Sequence, residues 1–423
     1  MFENNEKTEM AMDAIYFEDP SSWEDDLFES TEYAMELDRR NPVLEGICEQ
    51  LKRLGINIDE GDRKGLTKEL NNRYKNMGAE EGVPKSVKNW LSGTPVNPAY
   101  RANLYNLCMA LEMGIEETRV FFLKNYMTIP FNFKDRVDAA YFWGISHKLS
   151  YIEIQEILNT VDQEENISNI VFDNTQMIGK YISEIDDMKL FLEYLRNNSF
   201  GRKQQYESAA NEVLKLARED ALYAEVERII RPELSREREN KHGDVLSEPI
   251  ILKENNAVNY KALLFVIYGF DNQERYVSKK GKISKCEFLP KAFRENFPND
   301  QEFSRISNKD ASPDVYRKAL IILKFYNFFS FNLFTFIYGT DKPKADQRKI
   351  RSLDDYRDRD IDEIEAEMED FYYETSVLLA KCGFEQMYAR NAFDWLLLYC
   401  AKSTDPLDTL RELLMSRFID MED

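Results

Sequence analysis

The stretch that most constrains this chain is Val83-Pro84-Lys85-Ser86-Val87-Lys88-Asn89-Trp90-Leu91-Ser92-Gly93. Val87, Trp90 and Leu91 stand at offsets of three and four, so a helix puts all three on one face, where they pack inward. Lys85, Ser86, Lys88 and Asn89 then share the outward face. Gly93 stops the helix, because glycine reaches the left-handed cap conformation without a Cβ penalty. Asn97-Pro98 opens the next helix: Asn is a good N-cap, and the first turn does not need the N–H that proline lacks. That helix carries Leu104, Leu107, Cys108 and Leu111 on one face and is expected to end at Gly114.

This succession resembles the Cro/lambda-repressor-like (Xre-type) helix-turn-helix family. There, a short recognition helix ends in W-x-x-G or a near variant, a Pro-started helix rich in Leu and Ala follows, and a Leu-Gly turn leads to an acidic cap. The residues that carry the likeness are Trp90, Gly93, Pro98, Leu104, Leu107, Ala110, Leu111 and Glu116-Glu117. Gly65-Leu66-Thr67-Lys68-Glu69-Leu70 looks like the opening of the family's scanning helix. The likeness covers residues 62–118, about an eighth of the chain. It implies double-stranded DNA as partner, with Lys85, Ser86, Lys88 and Asn89 facing the major groove and Lys68, Arg73 and Arg101 meeting phosphates. The chain departs from the pattern between Leu70 and Val83, where more residues lie than a short turn holds. Either the first helix is long or the turn is expanded.

Charge bears on that expectation. With 77 acidic against 56 basic residues, the net charge is -21. Such a molecule is repelled by phosphate, so nucleic-acid contact has to come from a local basic island. Gly61 to Ala102 is one, with eight basic and four acidic residues, whereas Met1 to Glu60 holds seventeen acidic and five basic. The acidic arm carries Tyr16, Phe17, Trp23 and Phe28. It reads as a partner-docking tail, as a segment that folds back on a basic surface, or as a poorly ordered terminus with anchoring rings.

A chain of 423 residues with 43% hydrophobic and 13% aromatic residues has the material for two or three cored domains. Apolar spacing is helical throughout, and no segment alternates with period two. The expected fold is therefore all-α. An acidic arm (1–40) precedes a helix-turn-helix domain (41–130) and a helical bundle (131–231). A linker (232–255) leads to a C-terminal helical domain (256–423). Asn41-Pro42, Ser150, Ser312-Pro313 and Asp405-Pro406 read as helix starts. Thr175 to Asn197 reads as one long helix. Leu320 to Tyr338 approaches the length of a membrane span, but Lys324, Asn327, Ser330, Asn332 and Thr335 interrupt it, so a buried core helix is expected. Arg275–Lys285 and Lys342–Arg351 are basic loops.

Chemistry is sparse. The five cysteines are scattered, with no C-x-x-C pair, and read as core thiols of a reducing, cytoplasmic compartment. His147 reads as a helix C-terminal cap and His242 as a loop residue. Phosphate-loop, dinucleotide, zinc-protease and nucleophile-elbow motifs are all missing. No cofactor, metal or catalytic residue is expected, and the chain does not read as an enzyme. The expected function is that of a prokaryotic DNA-binding regulator or DNA-associated accessory factor. Its C-terminal helices would self-associate, bind a protein partner or sense a ligand, without a membrane. The alternative is a non-enzymatic interaction subunit of a phage-defence or mobile-element assembly.

Overall fold

The computed structural model describes residues 41–93, 101–162, 179, 181–231, 250–252, 257–268, 297–339, 351–388 and 391–415. The acidic arm, Asn97-Pro98, the 232–249 segment, His242, the 275–285 loop and all but Arg351 of the 342–351 loop lie outside them. The described residues form sixteen α-helices and one π turn. Their β-pairing is limited to two isolated bridges, Asp135 with Phe200 and Ile251 with Val258. The all-α expectation holds.

Two compact units result, and their boundaries differ from the expected ones. Of the described residues, the N-terminal unit holds those within Glu36–Glu207 together with Leu379–Tyr388, and the C-terminal unit holds those within Ser208–Leu378 and Ala389–Asp423. No break falls at 130, because a single apolar core runs from Val43 to Leu195. The aromatic rings explain why. Tyr105 stacks on Phe122, Phe131 and Tyr141 at 4.6, 5.5 and 5.0 Å, so one cluster serves both the expected domains.

The N-terminal unit begins with α1 (Pro42–Arg53), α2 (Arg63–Asn76), α3 (Lys85–Leu91), α4 (Arg101–Ala110) and α5 (Ile115–Phe121). A π turn (Phe122–Tyr126) extends α5, and α6 (Arg136–Ser146), α7 (Tyr151–Asp162) and α8 (Met188–Asn198) complete the set. Local chemistry explains the ends. The Asn41 carboxamide accepts from the Leu44 N–H at 3.1 Å and starts α1. Ser150 and Glu153 form a reciprocal capping box that starts α7. Asp187 accepts from the Leu190 N–H, so α8 begins at Met188 rather than at Thr175. His147 closes α6, with its Nδ1 2.9 Å from the Trp143 carbonyl. One expected end moves. α4 stops at Ala110, and Glu112 takes the left-handed conformation (φ 57°). Gly114 is extended instead, and its N–H donates to Glu117 at the start of α5.

α9 (Arg202–Ile230) carries the chain from the first unit into the second. The second unit adds α10 (Tyr260–Tyr268), α11 (Asp300–Ser307), α12 (Pro313–Tyr338), α13 (Leu353–Arg357), α14 (Ile361–Lys381), α15 (Ala392–Ala401) and α16 (Pro406–Met415). α12 is long and apolar enough to cross a membrane by length and composition, yet 67% of its most apolar window is buried within the protein. It packs on α11, α13, α15 and α16.

The polar groups inside this unit are mostly paired. Glu227 accepts from Arg411 at 2.7 and 3.0 Å and from the Tyr326 hydroxyl at 2.5 Å, and it forms an ion pair with Arg231 at 3.1 Å. Arg231 continues to Asp405 and Asp408, and Arg317 grips Asp394 with two bonds of 2.8 and 2.7 Å. Asp220 on α9 is among the exceptions: it is fully buried, and neither carboxylate oxygen has a hydrogen-bond partner among the described residues. Burial, helped by Glu219 and opposed by Lys324, raises its carboxyl well above the usual range. A raised folded value makes this carboxyl's stabilising contribution complete below the ordinary carboxylate range and lost as pH climbs. Asp220→Asn should therefore stabilise the protein by about 1–3 kcal/mol in urea unfolding at about pH 8.5, and by clearly less at about pH 5.5. An equal effect at both pH values would show that Asp220 does not titrate on unfolding.

Candidate nucleic-acid interface

The candidate site is the outer face of α2 and α3. α2 starts where Asp62 accepts from the Gly65 N–H at 2.8 Å, and it buries Leu66, Leu70 and Tyr74, spaced by four. It ends in a Schellman cap: the Gly78 N–H reaches the Lys75 carbonyl and the Ala79 N–H reaches the Tyr74 carbonyl, with Gly78 at φ +99°. So both alternatives for the Leu70–Val83 interval apply. The helix is long, at fourteen residues, and an extended turn follows it.

Three asparagines then fix α3. Asn71 on α2 accepts from the Val83 N–H at 3.0 Å and closes the turn. Gly82 passes against this amide at φ +71°; a Cβ there would meet Asn71 Oδ1 at 2.1 Å. Asn103 on α4 donates to the Ser86 hydroxyl at 2.9 Å. Asn41, besides capping α1, donates to the Trp90 carbonyl at 2.7 Å. Gly93 closes α3 at φ +85°, as its position in the sequence predicts.

Between these anchors Val87, Trp90 and Leu91 are buried, at 0, 2 and 1% exposure. Lys85, Lys88 and Asn89 are exposed. Ser86 is half-buried, because its hydroxyl is turned toward Asn103. The four residues predicted for groove contact thus lie together, three of them open and Ser86 partly committed to the fold.

The three predicted phosphate contacts fare differently. Lys68 is exposed on α2. Arg101 is corrected: it is buried, its Nε donates to Asp138 at 3.1 Å, and its Nη2 bonds Asp138 and the Ile129 carbonyl. Burial alone would lower its pKa, but Asp138 and Glu385 hold the guanidinium well above its usual value. Arg73 is corrected too. It is only partly exposed, and it spends its donors on Glu69 at 2.9 Å, Glu112 at 3.0 Å and the Ala110 carbonyl at 3.3 Å.

Helical phase explains both corrections. Arg101 is in register with Leu104, Tyr105 and Cys108, and Arg73 lies seven residues from Leu66. The same phase picks out residues that the predicted set omitted. Lys64, Lys68 and Lys75 share one stripe of α2, at offsets of four and eleven, and all three are exposed. Among the described residues, none of Lys64, Lys68, Lys75, Lys85 and Lys88 forms an ion pair. Nor do any three His, Cys, Asp or Glu side chains among those residues come together to hold a metal ion.

Comparison with protein-family models, with curated proteins and with solved structures finds no match.

The division between structural and open cations is measurable. Arg101→Gln should destabilise the protein by about 3–5 kcal/mol, because it strands the buried Asp138. Lys85→Ala and Lys88→Ala should each shift stability by no more than about 0.5 kcal/mol. Urea denaturation followed by circular dichroism separates the two. A tolerated Arg101→Gln would return that residue to the list of ligand contacts.

Proposed function

We propose that this protein binds double-stranded DNA through a helix-turn-helix of the Cro/lambda-repressor-like kind, and acts as a transcriptional regulator or DNA-associated accessory factor. The observation that carries the reading is α3. One face is locked into the core by Val87, Trp90, Leu91 and the Asn41 clamp, while the other presents Lys85, Lys88 and Asn89 exposed, the two lysines without an ion-pair partner among the described residues, on a molecule of net charge -21. On so acidic a molecule a lysine face open to solvent is a local positive island. A polyanion gives it a partner.

Lys and Asn side chains suit base edges: Lys donates to guanine O6 and N7, and Asn pairs in bidentate fashion with adenine. Lys64, Lys68 and Lys75 then take the role of backbone contacts, which orient a reader without specifying sequence. The short α3 and its eight-residue lead-in from Met77 to Pro84 leave the docking angle to be set by the Asn71 and Asn103 bonds. Self-association through the C-terminal unit would supply the second half-site that such readers use.

Salt titration of duplex binding tests the reading. Roughly three lysine–phosphate contacts should cost about fortyfold in affinity between about 50 and 200 mM salt. Lys85→Glu with Lys88→Glu should abolish binding while leaving the fold intact. Flat salt dependence, or unchanged binding by the double variant, would refute it. Stable co-purification with one protein, and no binding to any duplex pool, would point to an interaction subunit instead.

A further inference from the structure

Asp220 stands apart from the other buried carboxylates of the C-terminal unit. Glu227, Asp394 and Asp405 are each claimed by an arginine. Asp220 is fully buried on α9, and among the described residues neither of its oxygens has a hydrogen-bond partner. As an anion it would be a charge taken out of water with nothing bonded to it, so the fold holds it as the neutral acid. Its ionisable surroundings are mixed in sign. Glu219 on α9 repels its charge, Lys324 on α12 attracts it, and the Tyr223 and Tyr326 hydroxyls lie within reach of its field.

α9 and α12 run side by side at this point. The Asn327 carboxamide donates to Glu219 at 2.8 Å, and the Tyr223 ring meets Phe331 at 6.1 Å. Lys324 stands one turn before Asn327, and Asp220 is the residue after Glu219. The Lys324 ammonium is committed to a third helix: it donates to Glu374 on α14 at 2.5 Å and lies 5.5 Å from the Phe328 ring centre.

We propose that Asp220 and Glu374 compete for Lys324. With Asp220 protonated, Lys324 ties α12 to α14 through Glu374. When Asp220 gives its proton to water, the ammonium leaves Glu374 for Asp220 and ties α12 to α9 instead. This is a proton-driven exchange of partners inside the C-terminal unit, and it does not depend on what α3 binds.

Unequal exposure gives the exchange its direction. The Glu374 side chain is 50% exposed, so losing Lys324 returns it to water at little cost, as for most surface pairs. An ionised Asp220 has no water to turn to, and a buried charge without a partner is strongly destabilising. Lys324 is suited to serve both, because its head is a point charge on a flexible four-carbon stem. Only three residues, a rise of about 4.5 Å, separate it from the Asn327 contact with α9.

The tests use the full chain. The first is a double-mutant cycle, Lys324→Met with Glu374→Gln, in urea unfolding at about pH 5.5 and about pH 8.5. At the lower pH the two side chains should be coupled by about threefold in the unfolding constant, as exposed pairs are. At the higher pH that coupling should vanish. In Asp220→Asn, which keeps the shape and cannot ionise, it should stay at about threefold at both. Coupling that ignores pH in the parent protein, or that falls equally in Asp220→Asn, overturns the proposal.

The second readout rests on the parent protein and so stands even where a cycle variant fails to fold. In isotope-edited infrared spectra of the aspartate groups, a protonated-carboxyl band, assigned by its loss in Asp220→Asn, should be present at about pH 5.5 and fade by about pH 8.5. Lys324→Met should shift that fading toward alkaline pH by about tenfold or more in proton concentration, because the anion loses its partner. A band that persists undiminished to about pH 8.5 in the parent, or whose titration Lys324→Met leaves in place, overturns the exchange.

Discussion

Trp90 is the contact on which the N-terminal unit's outward face depends. A helix of seven residues is too short to persist alone in water, since nucleation costs more than so few bonds return. α3 is helical because its inner face is buried. A Trp side chain taken out of water contributes on the order of several kcal/mol, and Val87 and Leu91 add to it. The same burial fixes the rotation of the helix, and with it the direction in which Lys85, Lys88 and Asn89 point. Asn41, Asn71 and Asn103 then set its two ends, each with one hydrogen bond from a different helix or junction. A surface lysine row is a consequence of this core.

Buried charge plays a similar directing role in each unit. Arg101 with Asp138 in the N-terminal unit, and Arg231 and Arg411 with Glu227 and Asp405 in the C-terminal one, are taken almost wholly out of water. Such pairs contribute little net stability, because desolvation offsets most of the attraction. Their effect is geometric. A misplaced helix would leave a buried charge unpaired, at a cost of several kcal/mol, so alternative packings of these apolar helices are disfavoured. Arg411 shows the reach of this constraint: it joins α16 to Glu227 on α9 and to the Val266 carbonyl on α10.

Helix starts were the most legible part of the sequence. Asn41, Ser150, Ser312 and Asp405 act as caps through bonds that span three residues, and such bonds are written in local sequence. The inward face of α3 was legible for the same reason, being a matter of spacing. The stop at Gly93 followed, whereas that at Gly114 did not, because Glu112 accepted the left-handed conformation usually left to glycine and frees Gly114 to begin α5. The roles of Arg73 and Arg101 were misread. A basic residue looks like a phosphate contact until the carboxylate that claims it is known, and Asp138 lies thirty-seven residues further on.

The sequence by itself determined the helical class, the caps and the sorting of α3 into an apolar and a polar face, since all three depend on neighbours within about one helical turn. Only the tertiary structure decided which cations remain open. It also merged the expected helix-turn-helix domain with the bundle behind it, through the rings around Tyr105, and it drew Leu379–Tyr388 into the N-terminal unit, where the Gly383 carbonyl accepts from Asn132 and Gln205. Those outcomes depend on contacts between residues far apart in the chain, which pack according to shape and desolvation rather than spacing.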